Sequence, residues 1–345
     1  MIQNRSLLPG ADDGFRVVMP DADESVRAYM HRLARAYGLP SVKPLLAEVS
    51  QGGPRPFAAS CAPRLAELGG VSVDFVARLA GFDADYVAGV SVWTFGREKT
   101  SLFPGVNCRR LPICCECLRT RASAPGFVHL SAMSACPIHG CRLVCVCPNC
   151  QAPLHADRPQ LDRCGCRFAL SDLVGEKASE EEQVFASAIY SRIAGPTLPG
   201  SILRSEGGQL NLAALALDDL VYLHWALGHI LPRPRAWSLG TRRRLSPSEC
   251  SDATSACVAV LRKPGEVIPL VRAWLRLFAG RSGADGTLPF GLFRTVLKRL
   301  VRMRGIPMIS RLIAEEFALL SSQHRYRPAI GPQMSSQMAL FEEGL

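Results

Sequence analysis

A chain of 345 residues is long enough for two or three domains, and its 48% hydrophobic content excludes general disorder. Forty Lys and Arg face thirty Asp and Glu, a net charge of +10 that favours polyanionic partners. Only five of the 40 basic residues are Lys, an arginine excess that suits bidentate phosphate binding and equally suits a GC-rich genome.

The first twenty residues, MIQNRSLLPGADDGFRVVMP, hold no continuous apolar run, so no signal peptide is expected. No stretch approaches the roughly eighteen apolar residues of a membrane span, so no membrane partner is expected either. The chain is expected in a bacterial cytoplasm, where structural disulfides are rare. Its 14 cysteines therefore need another explanation.

The first predicted element is a helix over 24–37. Asp21 with Glu24, or Asp23, can cap it. Val26, Tyr29, Met30, Leu33, Ala34 and Tyr37 recur at helical spacing, and Gly38 and Pro40 end it. Arg27, His31, Arg32 and Arg35 fall on the other face, a solvated surface or one for a partner or DNA. Residues 48–60 have the composition of a loop. Residues 69–93 read as two short helices about Gly81, the first capped by Ser72 and the second by Asp83. This is a helix-turn-helix pattern whose second helix lacks the Arg or Asn that reads bases.

Nine cysteines lie between Cys108 and Cys150, and Cys164 and Cys166 follow. Cys114-x2-Cys117 and Cys136-x2-His139 can converge on one tetrahedral ion. Cys147-x2-Cys150 and Cys164-x-Cys166 can close a second. Pro137, Pro148 and Gly165 sit inside the ligand turns, where the backbone must bend. Four soft donors with no open position suit structural zinc, so two structural zinc ions are expected. Cys115 can replace Cys114, and Cys145 can replace Cys147. Cys108 and Cys141 are surplus, while Cys61, Cys250 and Cys257 read as buried free thiols, and His129 and His155 as ordinary polar or core residues. Residues 108–167 have few apolar periodic runs, so metal is expected to replace a core.

A helix is predicted over 178–195, with Ser179 and Glu182 as a capping box and Phe185, Ile189 and Ile193 on one face. Another covers 211–230, where His224 and His229 stand five apart, the wrong spacing for two ligands on one α-helical face. Residues 233–249 form a basic loop. The span 242–304 holds 13 basic and 4 acidic residues. A helix over 292–305 turns Leu292, Phe293, Val296, Leu297, Leu300 and Val301 inward. Arg294, Lys298, Arg299, Arg302 and Arg304 stay outside and, after Arg242, Arg243 and Arg244, form a candidate phosphate surface. Residues 323–345 read as a tail.

The order of knuckles, with Cys136-Pro137-Ile138-His139-Gly140 followed by Leu143 and Cys147-Pro148-Asn149-Cys150, resembles the TniQ family. So does Glu24-Ser25 ahead of Arg32-Leu33-Ala34 and Gly38. The first knuckle departs from the family pattern in lacking Pro, and Phe127 stands where Trp is common. The resemblance implies a non-enzymatic target selector for transposition. Its partners would be DNA or a DNA-bound CRISPR effector and an AAA+ transposition ATPase, with a DDE transposase reached through that ATPase; a homodimer stays open. The fold expected is mainly α and multidomain, with helix-turn-helix-like domains joined by two small zinc modules. The expected division is 1–107, 108–175, 176–322 and a tail at 323–345. A zinc-containing transcription regulator would look similar in sequence. A nucleobase deaminase would need H-x-E before P-C-x-x-C, which His155-Ala156-Asp157 does not supply.

Overall fold

In the computed structural model the described residues are 17–21, 23–50, 61–79, 83–87, 90–95, 98–100, 110–195, 200–233, 247–279 and 287–325. They are mainly helical and divide into two compact units. One is drawn from 1–203, 211–225 and 242–255, the other from 204–210, 226–241 and 256–345.

The first unit opens on α1 (Val26–Ala36). Its cap is Ser25, whose side chain accepts from the Ala28 N–H, and not Asp21 or Asp23. Ser25 is buried, so an internal hydroxyl does the capping that exposed carboxylates were expected to do. Val26, Tyr29, Met30 and Leu33 pack with Leu45 of α2 (Lys43–Ser50), Leu65 of α3 (Ala62–Gly69) and Val76 of α4 (Val73–Ala77). α2 runs into the stretch expected to be loop from residue 48; the rest of that loop, 51–60, lies outside the described residues. α3 ends at Gly70 in the left-handed region, φ 61°, so the helix–turn–helix is α3 with α4. A methyl at Gly69 would overlap the Tyr29 hydroxyl, which explains a glycine at this close approach.

Residues expected to form the second helix of that pair are strands. β1 (Asp83–Val87) pairs antiparallel with β2 (Val90–Phe95), which pairs with β3 (Glu98–Thr100). β2 reads Val-Ser-Val-Trp-Thr-Phe, β-branched and aromatic residues that crowd a helix and fit a pleated surface. Val87 faces Val90 across a two-residue connection.

The cysteine-rich middle begins with α5 (Cys115–Arg121) and continues in short bridges and 3₁₀ turns. It is not coreless. Leu111, Ile113, Phe127, Val128, Leu130, Met133, Leu154 and Leu170 are all buried. Their spacing follows no helix or strand period, which is why periodicity could not find them. Next comes α6 (Glu180–Ala194), with the expected capping box: the Glu182 N–H donates to Ser179 Oγ at 3.2 Å and the Ser179 N–H to Glu182 Oε2 at 2.9 Å. Phe185 and Ile189 are buried and Ile193 half-buried.

The helix expected over 211–230 is interrupted. A hairpin of β4 (Ile202–Ser205) and β5 (Gly208–Asn211) runs up to Asn211. α7 spans Leu217–Leu223, and His224–Ile230 wind as a π-helix. The buried His224 donates from Nε2 to the Cys250 carbonyl at 3.3 Å. α8 covers Pro247–Arg262.

In the second unit, α9 (Val267–Ala279), α10 (Thr287–Arg302) and α11 (Pro307–Arg325) pack together. Trp274 stacks on Phe293, centroids 5.1 Å apart and planes 4° from parallel, and its indole N–H donates to the Leu231 carbonyl. Arg272 grips the buried Glu316 with two hydrogen bonds, 2.7 and 2.9 Å. α11 extends through residue 325, past the expected tail boundary at 323; residues 326–345 lie outside the described residues. No helix among the described residues is long and apolar enough to cross a membrane.

Candidate metal centres

Two clusters of four donors come together, with all ligand atoms within 4.8 Å of one another in each: Cys114, Cys117, Cys136 and His139, then Cys147, Cys150, Cys164 and Cys166. These are the eight residues that spacing singled out. Cys114 and Cys147 fall within the two clusters; Cys115 is buried outside the first, and the thiol of Cys145 donates to the Leu143 carbonyl at 3.7 Å.

The first cluster is assembled by a helix start and a knuckle. Cys114 is the N-cap of α5, and its sulfur accepts from the Cys117 N–H at 3.4 Å, so the helix end points a donor at the thiolate. Opposite it, the Gly140 N–H donates to the Cys136 carbonyl at 2.9 Å, closing the turn that carries His139. The second cluster repeats this design twice. The Gln151 N–H donates to the Cys147 carbonyl, and the Arg167 N–H to the Cys164 carbonyl. Gly140, Gln151 and Arg167 each follow a ligand directly, and each has a positive φ, 63°, 57° and 69°. A side chain in that region costs about 1–2 kcal/mol, so Gln151 and Arg167 are strained where the ligand geometry demands it.

The donor separations are those of a tetrahedral thiophilic ion. Metal–sulfur bonds of about 2.3 Å and metal–nitrogen bonds of about 2.0 Å give edges of roughly 3.8 Å for S–S and 3.5 Å for S–N. In the first cluster, Cys114 and Cys117 lie 3.4 Å from His139 Nδ1, Cys136 lies 3.6 Å from it, and Cys117 and Cys136 are 3.8 Å apart. In the second, Cys147–Cys166 is 3.7 Å and Cys150–Cys164 is 3.6 Å. Sulfur contacts from Cys117, Cys136 and Cys141 pull the Cys114 thiol well below its ordinary value, and the contacts with Cys114 and Cys136 push Cys117 up. A divalent cation relieves such crowding by letting every sulfur ionise.

The two centres differ in exposure. The cysteines of the first are buried and its histidine half-exposed, whereas Cys150 and Cys166 are exposed. Cys166 is held down to about 6 by the Phe168 backbone N–H first and by the Asn149 amide, 3.6 Å away, next.

α1 is fastened to both centres. The Ser25 N–H donates to the Ala124 carbonyl and the Gly126 N–H to the Asp23 carbonyl. Arg121 holds Asp23, and Ser123 donates to Asp21 at 2.9 Å. His31 donates from Nε2 to the Ala156 carbonyl at 2.9 Å. His31 is buried and Arg32 pairs with the buried Glu24 at 2.7 Å, so these two residues of the face read as solvated or partner-binding make internal contacts, while Arg35 on it is exposed. Burial lowers His31 to about 4, against the hydrogen bond to the Ala156 carbonyl, which favours the charged ring. Arg158, also buried, donates to the Leu161, Leu111 and His155 carbonyls and braces the second module.

The basic candidates are less fully described. Arg242, Arg243 and Arg244 lie outside the described residues. Arg294 belongs to α10, Lys298 and Arg299 are half-buried, and Arg302 is exposed at the helix end. Sequence reasoning set Cys141 aside, although its sulfur lies 3.4 Å from that of Cys114. Its position depends on pairing with Lys177, a contact that spacing near the knuckle does not reveal.

Compared with known proteins, residues 15–143 match the family model described as TniQ. The match runs from the segment before α1 through both knuckles of the first centre. No curated protein matches the chain.

Proposed function

Because residues 15–143 match the TniQ family model, we propose that the chain is a non-enzymatic target-site adaptor for transposition. It links target DNA, or a DNA-bound CRISPR effector, to an AAA+ ATPase, and through that ATPase to a DDE transposase. The observation that carries this reading is the attachment of α1 to two four-donor centres. The Asp21–Ser25 segment and His31 reach different modules, so the modules fix the placement of α1. Each centre holds a structural zinc: four soft donors at tetrahedral spacing leave no position for substrate or water. A deaminase needs an open position and an adjacent acid, and the nearest sequence match, His155, is exposed and bridged to Arg110.

The functional division follows the chain: a TniQ region at 1–107, the modules at 108–175, and a basic helical part at 176–322. Arg242, Arg243, Arg244, Arg294, Lys298, Arg299 and Arg302 supply phosphate contacts that position the protein without reading sequence. The test is co-expression with the AAA+ ATPase of the same mobile element. A stable complex, lost when Cys136→Ser disrupts the first centre, is expected. A chain that leaves the ATPase unbound, and whose deletion leaves insertion sites unchanged, contradicts the reading.

A further inference from the structure

The first centre has a fifth sulfur. Cys141 is 5% exposed, and its Sγ lies 3.4 Å from that of Cys114, the same separation as His139 Nδ1 from Cys114. Backbone contacts hold it there. The Cys136 N–H donates to the Cys141 carbonyl at 2.7 Å, and Cys141 pairs as an antiparallel bridge with Lys177. Gly175 lies against its side chain: a Cβ there would come within 2.8 Å of Cys141 Cβ and 3.1 Å of its sulfur. Glycine at 175 therefore makes room for a thiol directed at the centre. Cys145, by contrast, turns its thiol to the Leu143 carbonyl.

We propose that Cys141 is a reserve donor of the first centre that stands in for Cys114; this rests on the reading of that cluster as a metal site. A tetrahedral ion takes four donors, so with Cys114 bound the fifth thiol stays protonated and donates to the Cys114 sulfur. The Cys141 thiol lies against the Cys114 corner and outside the compact set of Cys114, Cys117, Cys136 and His139, so it replaces that one donor and not Cys117 or Cys136. Without Cys114 it restores three sulfurs and one nitrogen with the same charge. Binding through Cys141 releases its thiol proton to solvent, as binding through Cys114 does.

Native mass spectrometry of the full zinc-loaded chain tests this. Wild type is expected to carry two ions and Cys117→Ser one. Cys114→Ser is expected to keep two, and Cys114→Ser with Cys141→Ser to fall to one. In the cobalt-loaded Cys114→Ser protein, the charge-transfer band should keep the intensity of three thiolates. Cys114→Ser carrying one ion, like Cys117→Ser, overturns the proposal while leaving the metal centre standing. A Cys117→Ser protein that keeps two ions shows that the first ion does not need the donor set on which the proposal rests, and overturns it. If Cys114→Ser does not fold, zinc loss to a chelator decides. Cys141→Ser should release the first ion about tenfold faster than wild type, and equal rates overturn the proposal.

Discussion

Glu24 shows how one side chain ties the family helix to the rest of the first unit. Its carboxyl is buried against Arg32 at 2.7 Å and accepts the Asp21 N–H at 3.1 Å. Burial outweighs the arginine and raises its pKa from 4.5 to about 8. A group raised on folding adds stability that is complete below its unfolded value and lost as pH rises through the folded one. Between about pH 4.5 and 8 the unfolded chain ionises Glu24 while the native state keeps it protonated, so the native state loses stability steadily across that range. Glu24→Gln removes that loss, so the variant should gain on wild type by up to a few kcal/mol between pH 5.5 and 8.5 in urea unfolding. A variant destabilised equally at both pH values would show that the Arg32 pair dominates. At this scale the clustering of the eight donors was legible, because knuckle spacing is written directly in the chain. Cys141 was not, because its place depends on the bridge to the distant Lys177, and the positive φ of Gln151 and Arg167 was not, because their side chains give no sign of a left-handed turn.

Among the elements, the capping box of α6 was legible, though the helix starts at Glu180 and not at 178. Ser179 and Glu182 satisfy each other's backbone N–H groups, a purely local bond that spacing encodes. Glu182 also accepts from Arg142 at 3.0 Å, which joins the cap to the bridged residues that follow the His139 knuckle. Ser179→Ala should cost about 1 kcal/mol in thermal or chemical unfolding, and no change would mean that Arg142 and the acidic first turn suffice without the cap. β1 and β2 were misread as a helix because Asp83 resembles a cap and Gly81 a break. The Val-Ser-Val-Trp-Thr-Phe run, with its β-branched and aromatic residues, is the signal that should have prevailed. The break at His224 was hidden for another reason. A π turn arises from tertiary contacts such as that to the Cys250 carbonyl, and the apolar run around it reads as one continuous helix.

For the whole molecule, the sequence correctly indicated a mainly helical chain with two Cys/His clusters in its middle. It overstated the dependence of that middle on metal, since Phe127, Leu130, Met133 and Leu154 give it apolar packing as well. The ions are then expected to set local geometry and proteolytic resistance on top of an existing core, so losing one centre should not unfold everything. The central claim is that eight donors hold two ions that lock the modules carrying α1. Metal content of the purified chain, measured together with limited proteolysis, tests it most directly. Two zinc ions per chain are expected, falling to one in Cys136→Ser and to one in Cys147→Ser, each with new cleavage within 110–170. A chain that carries no stoichiometric metal yet resists protease, or variants that keep both ions, would contradict it.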